Sequence, residues 1–162
     1  MEETVTEIID KLREQNHTIS FAESCTGGLL AASFIAIAGA SDVLNGSLVT
    51  YSNEIKHKWL GVEKEILETH GAVSKECVEQ MLIGVKKMAQ SDYAIAISGI
   101  AGPGGATPTK PVGTVYIGVS TPHTTTVFHC HFDGDRKAVQ KATVDFAINT
   151  LVKELDCSTK QP

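Results

Sequence analysis

The sequence predicts an α/β protein: a three-layer α/β/α sandwich around a mixed, mostly parallel five-stranded sheet. Three observations carry this expectation. Helix-like and strand-like segments alternate over the first hundred residues, the order of a parallel sheet with crossover helices. Residues 92–98 form a near-continuous apolar run, as expected of a strand covered on both faces. Two strand-like runs then follow each other around Thr121-Pro122-His123, which brings in one antiparallel strand.

The elements follow in order. Residues 3–15 place Val5, Ile8, Ile9 and Leu12 on one helical face. Residues 18–22 read as a short buried strand, and 26–38 as a buried helix, apolar on most sides. Residues 44–51 read as a strand in which Val49 and Tyr51 are good strand formers. Two short helices are expected at 53–60 and 64–70. Ser74 caps a longer helix, with Glu76 in its first turn and Val78, Met81, Leu82, Val85, Met88 and Ala89 at helical spacing. The strand at 92–98 runs into a Gly/Pro-rich loop, residues 99–111. Strands at 112–120 and 124–132 form the hairpin. Asp133 and Asp135 supply capping carboxylates to a final helix at 136–155.

Composition narrows the function classes. The chain has 162 residues, close to one domain on a prior of about 150 residues, and it is expected to form one domain over 1–162. Its 14 basic against 19 acidic residues leave a net charge of −5, which offers no global footprint for nucleic acid or an anionic membrane. The acidic start is unlike a secretory leader, and the most apolar stretch, 29–40, is too short to span a bilayer. Cys25, Cys77, Cys130 and Cys157 are scattered, as in reduced thiols of a cytoplasmic protein.

Four places could carry chemistry. Ala22-Glu23-Ser24-Cys25-Thr26-Gly27-Gly28 lies between a strand and a helix, where open α/β sheets bind ligands. Amides of 25–28, at the positive end of the helix, would suit an anion or an oxyanion, although Ser and Thr at such a place also act as plain caps. Lys56 sits one turn into the helix after the second strand and could reach back as a base, or stand solvated. Gly99, Gly102, Gly104 and Gly105 match neither a dinucleotide fingerprint nor a P-loop, but belong to the same sheet edge. Arg136, at the start of the last helix, could clamp a phosphate or carboxylate. His129 and His131 share one strand face, but no further ligand stands at recognisable spacing, so no metal is expected.

Taken together, six segments resemble one family. They are Ala-Glu-Ser-Cys-Thr-Gly-Gly at 22–28, Val-Thr-Tyr-Ser-Asn-Glu at 49–54, His-Gly-Ala-Val-Ser at 70–74, Ile-Ser-Gly-Ile-Ala-Gly-Pro at 97–103, Lys-Pro-Val-Gly-Thr-Val at 110–115 and Gly-Asp-Arg at 134–136. The chain resembles the C-terminal domain family of the competence/damage-inducible protein CinA over nearly its whole length. Stand-alone members are nicotinamide-nucleotide amidases, and the longer members carry an additional N-terminal domain that is not expected within these 162 residues. The resemblance implies a five-stranded mixed sheet similar to anticodon-binding domains. It implies hydrolysis of nicotinamide mononucleotide to nicotinate mononucleotide and ammonia, without cofactor, in pyridine-nucleotide salvage. It implies a Ser24/Lys56 pair supported by Tyr51, with Arg136 at the substrate.

On that footing Thr26, Gly27 and Gly28 are expected to offer amides to the oxyanion. Gly99, Gly102 or Arg136 are expected to hold the phosphate, and Ser47 and Ser98 are further pocket candidates. A homo-oligomer acting on a small-molecule substrate, with no nucleic-acid or membrane partner, is expected. Two rival readings are a non-catalytic nucleotide sensor and an interaction domain in DNA uptake or repair.

Overall fold

The structure is a computed structural model, and it describes residues 1–158. The chain forms α1 (Glu2–Glu14), β1 (Ile19–Glu23), α2 (Leu29–Ile35), β2 (Leu44–Val49), α3 (Asn53–Leu60), α4 (Lys64–Thr69), α5 (Lys75–Ala89), β3 (Tyr93–Gly99), β4 (Thr114–Ser120), β5 (Thr125–His131) and α6 (Arg136–Ser158). The strands lie in the order β2-β1-β3-β4-β5. β1 is parallel to both β2 and β3, while β4 runs antiparallel to β3 and β5. Only β4 therefore opposes the other four strands, and the expected five-stranded mixed sheet is the one observed.

Strand alternation sorts the two cores. Phe21, Ile95, Ile97, Val115 and Ile117 face α1, α2 and α6, and join Ile8, Leu12, Phe34 and Ile148 in one cluster. Ala22, Ala94 and Ala96 face the other way and join Leu60, Val78, Met81 and Leu82 of α3 and α5. The small residues on this second face let α5 lie close. At Gly84 an added Cβ would sit 2.0 Å from the Leu60 carbonyl, so glycine is what allows the end of α3 to press onto α5. That contact carries α3, and Lys56 with it, down onto the sheet.

Several boundaries differ from those read in the sequence, each for a local reason. The helix expected over 26–38 is only Leu29–Ile35. Gly28 precedes it at φ 99°, a conformation that ends helical continuity on the N-terminal side. It is not buried on most sides either: Leu29 and Ile35 are 44% and 68% exposed, and Leu30, Ala31 and Phe34 carry the packing. β2 stops at Val49, two residues early, because the carbonyls of Thr50 and Tyr51 turn to accept from the Lys56 ammonium. The Ser74 cap is as expected, its hydroxyl accepting from the Cys77 N–H. Asp135 likewise accepts from the Ala138 N–H at the start of α6. Among the described residues no helix is long and apolar enough to cross a membrane.

Candidate active site

The same alternation places the chemistry. Glu23 ends β1 on the α2 side of the sheet, and Ser24, one residue on, falls on the α3/α5 side. The C-terminal ends of β1, β2 and β3 lie together, and α6 starts from the same edge. The hollow there holds about 240 Å³, and its walls include Ser24, Cys25, Lys56, Ser98, Gly102 and Arg136. A larger hollow of about 570 Å³ lies between α3 and α4 and shares only Asn53 with it. Its lining of Glu54, His57, Lys58, Lys64, Leu67 and Glu68 sets no serine or cysteine beside a base.

Lys56 is 1% exposed. Its Nζ lies 3.0 Å from Ser24 Oγ, 2.8 Å from the Thr50 carbonyl oxygen and 3.4 Å from that of Tyr51. An ammonium donates to all three. The two carbonyls can only accept, so loss of one proton leaves the amine lone pair facing Ser24, whose hydroxyl can then turn round and donate. Burial pulls the Lys56 pKa below its ordinary value by penalising the charged form; ionised Cys77 and Cys25 would oppose that shift. The arrangement is a hydroxyl nucleophile beside an amine base, with the base's other hydrogens fixed by backbone.

Cys25 also borders the hollow, but burial pushes its thiol up to about 11, with Lys56 and Arg136 only partly opposing. It stays a protonated thiol at neutral pH, a poor nucleophile. Ser98 is 1% exposed and lines the hollow, as do Gly99 and Gly102. Tyr51 reaches Lys56 through its carbonyl only. The residue is 64% exposed, and its phenol accepts from an Arg136 N–H at 3.0 Å, while another Arg136 N–H donates to the Gly102 carbonyl at 2.7 Å. The support that the resemblance implies from Tyr51 thus reaches Lys56 through the backbone, while the phenol serves Arg136. Lys110 straps the opposite wall by donating to the His70 carbonyl, 2.7 Å away, next to the wall residues Ala72 and Val73.

Four expected substrate contacts lie elsewhere. Thr26, Gly27, Gly28 and Ser47 do not line the hollow. The reason is Glu23, a residue the sequence reading left without a role. Its carboxylate is fully buried and takes the place of an anion at α2. Oε1 accepts from Thr26 Oγ1 at 2.7 Å and the Leu30 N–H at 2.9 Å; Oε2 accepts from the Ala31 N–H at 3.1 Å and Ser47 Oγ at 3.3 Å. The Gly27 N–H is held by the Ser24 carbonyl at 3.0 Å. The signal available in the sequence was a glutamate at the end of a short buried strand with no other charged residue, a position that demands internal partners. Glu23→Leu is expected to lower unfolding stability by roughly 1–3 kcal/mol, because the donors it serves are left buried and unpaired; equilibrium denaturation checks this. Asn53, Ala72 and Val73 are wall residues that lie within the family segments at 49–54 and 70–74 but were given no role there.

The two histidines have structural partners. His129 stacks on Tyr116 with centroids 4.5 Å apart, and His131 Nε2 lies 3.1 Å from the Val112 carbonyl.

Comparison with known proteins places this geometry in context. The family described as the CinA C-terminal domain matches residues 1–155. A CinA-like protein of Thermotoga neapolitana is 46% identical over 155 residues, covering 96% of this chain but 37% of the relative. One from Endomicrobium trichonymphae is 51% identical over 144 residues, covering 89% and 34%. The chain thus spans little more than a third of the length of these curated relatives. Among solved structures, a competence-damaged protein (CinA) superfamily protein of Klebsiella pneumoniae superposes with a TM-score of 0.92 at 37% identity, covering 96% of this chain and 97% of the other. A competence/damage-inducible protein of Agrobacterium tumefaciens gives 0.91 at 38% identity, covering 96% and 94%.

Proposed function

The chain belongs to the CinA C-terminal domain family, and from that premise we propose that it is an amidase. Its substrate in this reading is nicotinamide mononucleotide, cleaved to nicotinate mononucleotide and ammonia in cytoplasmic pyridine-nucleotide salvage. The observation that carries the chemistry is the buried Ser24–Lys56 pair at 3.0 Å, with two backbone carbonyls holding the amine. The stand-alone nicotinamide-nucleotide amidases that the motifs resemble supply the substrate.

Ser24 Oγ attacks the carboxamide carbon while neutral Lys56 takes its proton. The C–N bond breaks as Lys56 returns that proton to the departing nitrogen, which leaves as ammonia. Water, deprotonated by the same amine, then attacks the acyl-enzyme, and nicotinate departs as Ser24 regains its proton. The hollow of about 240 Å³ is smaller than the roughly 300–1,000 Å³ usual for ligand pockets, so it takes the pyridine carboxamide and leaves ribose and phosphate along the rim. In this reading Gly99, Gly102 and Arg136, which line the hollow, meet the ribose and phosphate, and Ser98 faces the ring. In the same reading the protein is a homo-oligomer, which light scattering checks.

The deciding experiment measures ammonia release from nicotinamide mononucleotide, its riboside and free nicotinamide. Turnover of the nucleotide supports the proposal. Tight nucleotide binding without ammonia would make the protein a sensor, and salt-sensitive DNA binding without turnover would support the DNA-uptake reading. Turnover is expected to be unchanged in EDTA, since each proposed step uses only Ser24, Lys56 and water. Loss restored by one divalent ion would refute that.

A further inference from the structure

One contact to the nucleophile turn comes from far away in sequence. Gln140 on α6 donates from Nε2 to the Cys25 carbonyl oxygen at 2.8 Å. Gln140 stands four residues after Arg136, so both project from the same face of α6. Arg136 grips the Gly102 carbonyl and the Tyr51 phenol. The first two turns of α6 therefore hold one group from each of the three segments that follow β1, β2 and β3. The Cys25 carbonyl belongs to the peptide that joins Cys25 to Thr26, directly beyond Ser24. A trans peptide is planar, so a grip on its oxygen also sets the direction of the Thr26 N–H and restricts the turn that carries Ser24.

We propose that Gln140 is a positioning residue: its hydrogen bond to the Cys25 carbonyl holds the turn so that the Ser24 hydroxyl stays aimed at Lys56. The inference rests on Ser24 being the nucleophile proposed above. Glu23 fixes the buried side of this turn and Gln140 the α6 side. Gln140 is only half-buried and its partner is a single carbonyl, so its effect falls on alignment more than on folding.

Two near-isosteric variants test it. Gln140→Met removes the donor, and Gln140→Glu sets a carboxylate against the carbonyl oxygen. A net hydrogen bond is worth roughly 3–10-fold in an equilibrium or rate. Gln140→Met is expected to lower kcat by about that factor with KM and the midpoint of thermal unfolding unchanged, and Gln140→Glu by more. The pH at which the rising limb of kcat bends should not move, since Lys56 keeps its own partners. A second readout avoids the substrate altogether. A fluorophosphonate labels an activated serine: the serine oxygen bonds to phosphorus, the P–F bond breaks, fluoride leaves and the proton passes to Lys56. Labelling of Ser24 should slow by the same factor in each variant, with Ser24→Ala as the unlabelled control. Wild-type kcat and labelling in Gln140→Met, or a loss confined to KM, would overturn the proposal. If the unaltered protein is labelled at Ser24 yet releases no ammonia from the nucleotide, the substrate assignment fails while the labelling series still decides the role of Gln140.

Discussion

Ser24→Ala is expected to cut ammonia release by up to about 10⁶-fold, the loss on removing the nucleophile of a serine hydrolase, while leaving KM and the unfolding midpoint nearly unchanged. Ser24 is 7% exposed and meets Lys56 through one hydroxyl. The turn around it is held by other groups, the Glu23 carboxylate and the Gln140 amide. Removing a single oxygen therefore takes away the attacking atom without loosening its surroundings. Cys25 offers no substitute, because its thiol, pushed up to about 11, remains protonated. Steady-state kinetics together with mass spectrometry of the acyl-enzyme test this. Near-wild-type turnover in Ser24→Ala would mean that water attacks directly.

Lys56→Arg is expected to be nearly as damaging as Lys56→Ala, with kcat down by about 10²–10⁴-fold, the usual contribution of a positioned acid–base group. Arginine keeps the charge but stays protonated and cannot take the serine proton. If Lys56 served only as a point charge for phosphate, arginine would restore kcat and alanine would chiefly raise KM. The pH profile gives a second discriminant. Burial holds the Lys56 pKa below its ordinary value of 10.5, so activity should rise with pH along a limb that bends below 10.5. That limb should vanish in Lys56→Met. The stability sign follows from the same shift. The folded state releases this proton at lower pH than the unfolded chain, so the unfolded chain binds more protons between the two values. Unfolding free energy of the unaltered protein should therefore rise with pH relative to Lys56→Met, from the folded pKa up to about 10.5, and be level above it. Denaturation of both proteins across that range measures the difference.

The sequence by itself determined the fold class and most of the element positions. Apolar spacing and local caps are properties of neighbouring residues, and they survive folding unchanged. The α3 helix at Asn53–Leu60, the Ser74 cap and the apolar β3 strand all follow from such local rules. The family resemblance also singled out Ser24, Lys56, Ser98, Gly102 and Arg136, and all five line one hollow. Only the tertiary structure decided what each side chain does there. Glu23 and Ser24 are adjacent, yet one closes the N-terminal end of α2 and the other meets Lys56, because strand alternation sends them to opposite faces of the sheet. The helix end expected to receive an anion is filled by that glutamate, so the Thr26 and Ser47 hydroxyls are engaged by Glu23. Tyr51 turns its phenol to Arg136 and leaves only its carbonyl for Lys56. The Lys56 amine loses water because Gly84 lets α3 settle onto α5, a contact between backbones far apart in sequence. These outcomes depend on which long-range partners meet and how deeply they are desolvated, and neither periodicity nor propensity encodes that.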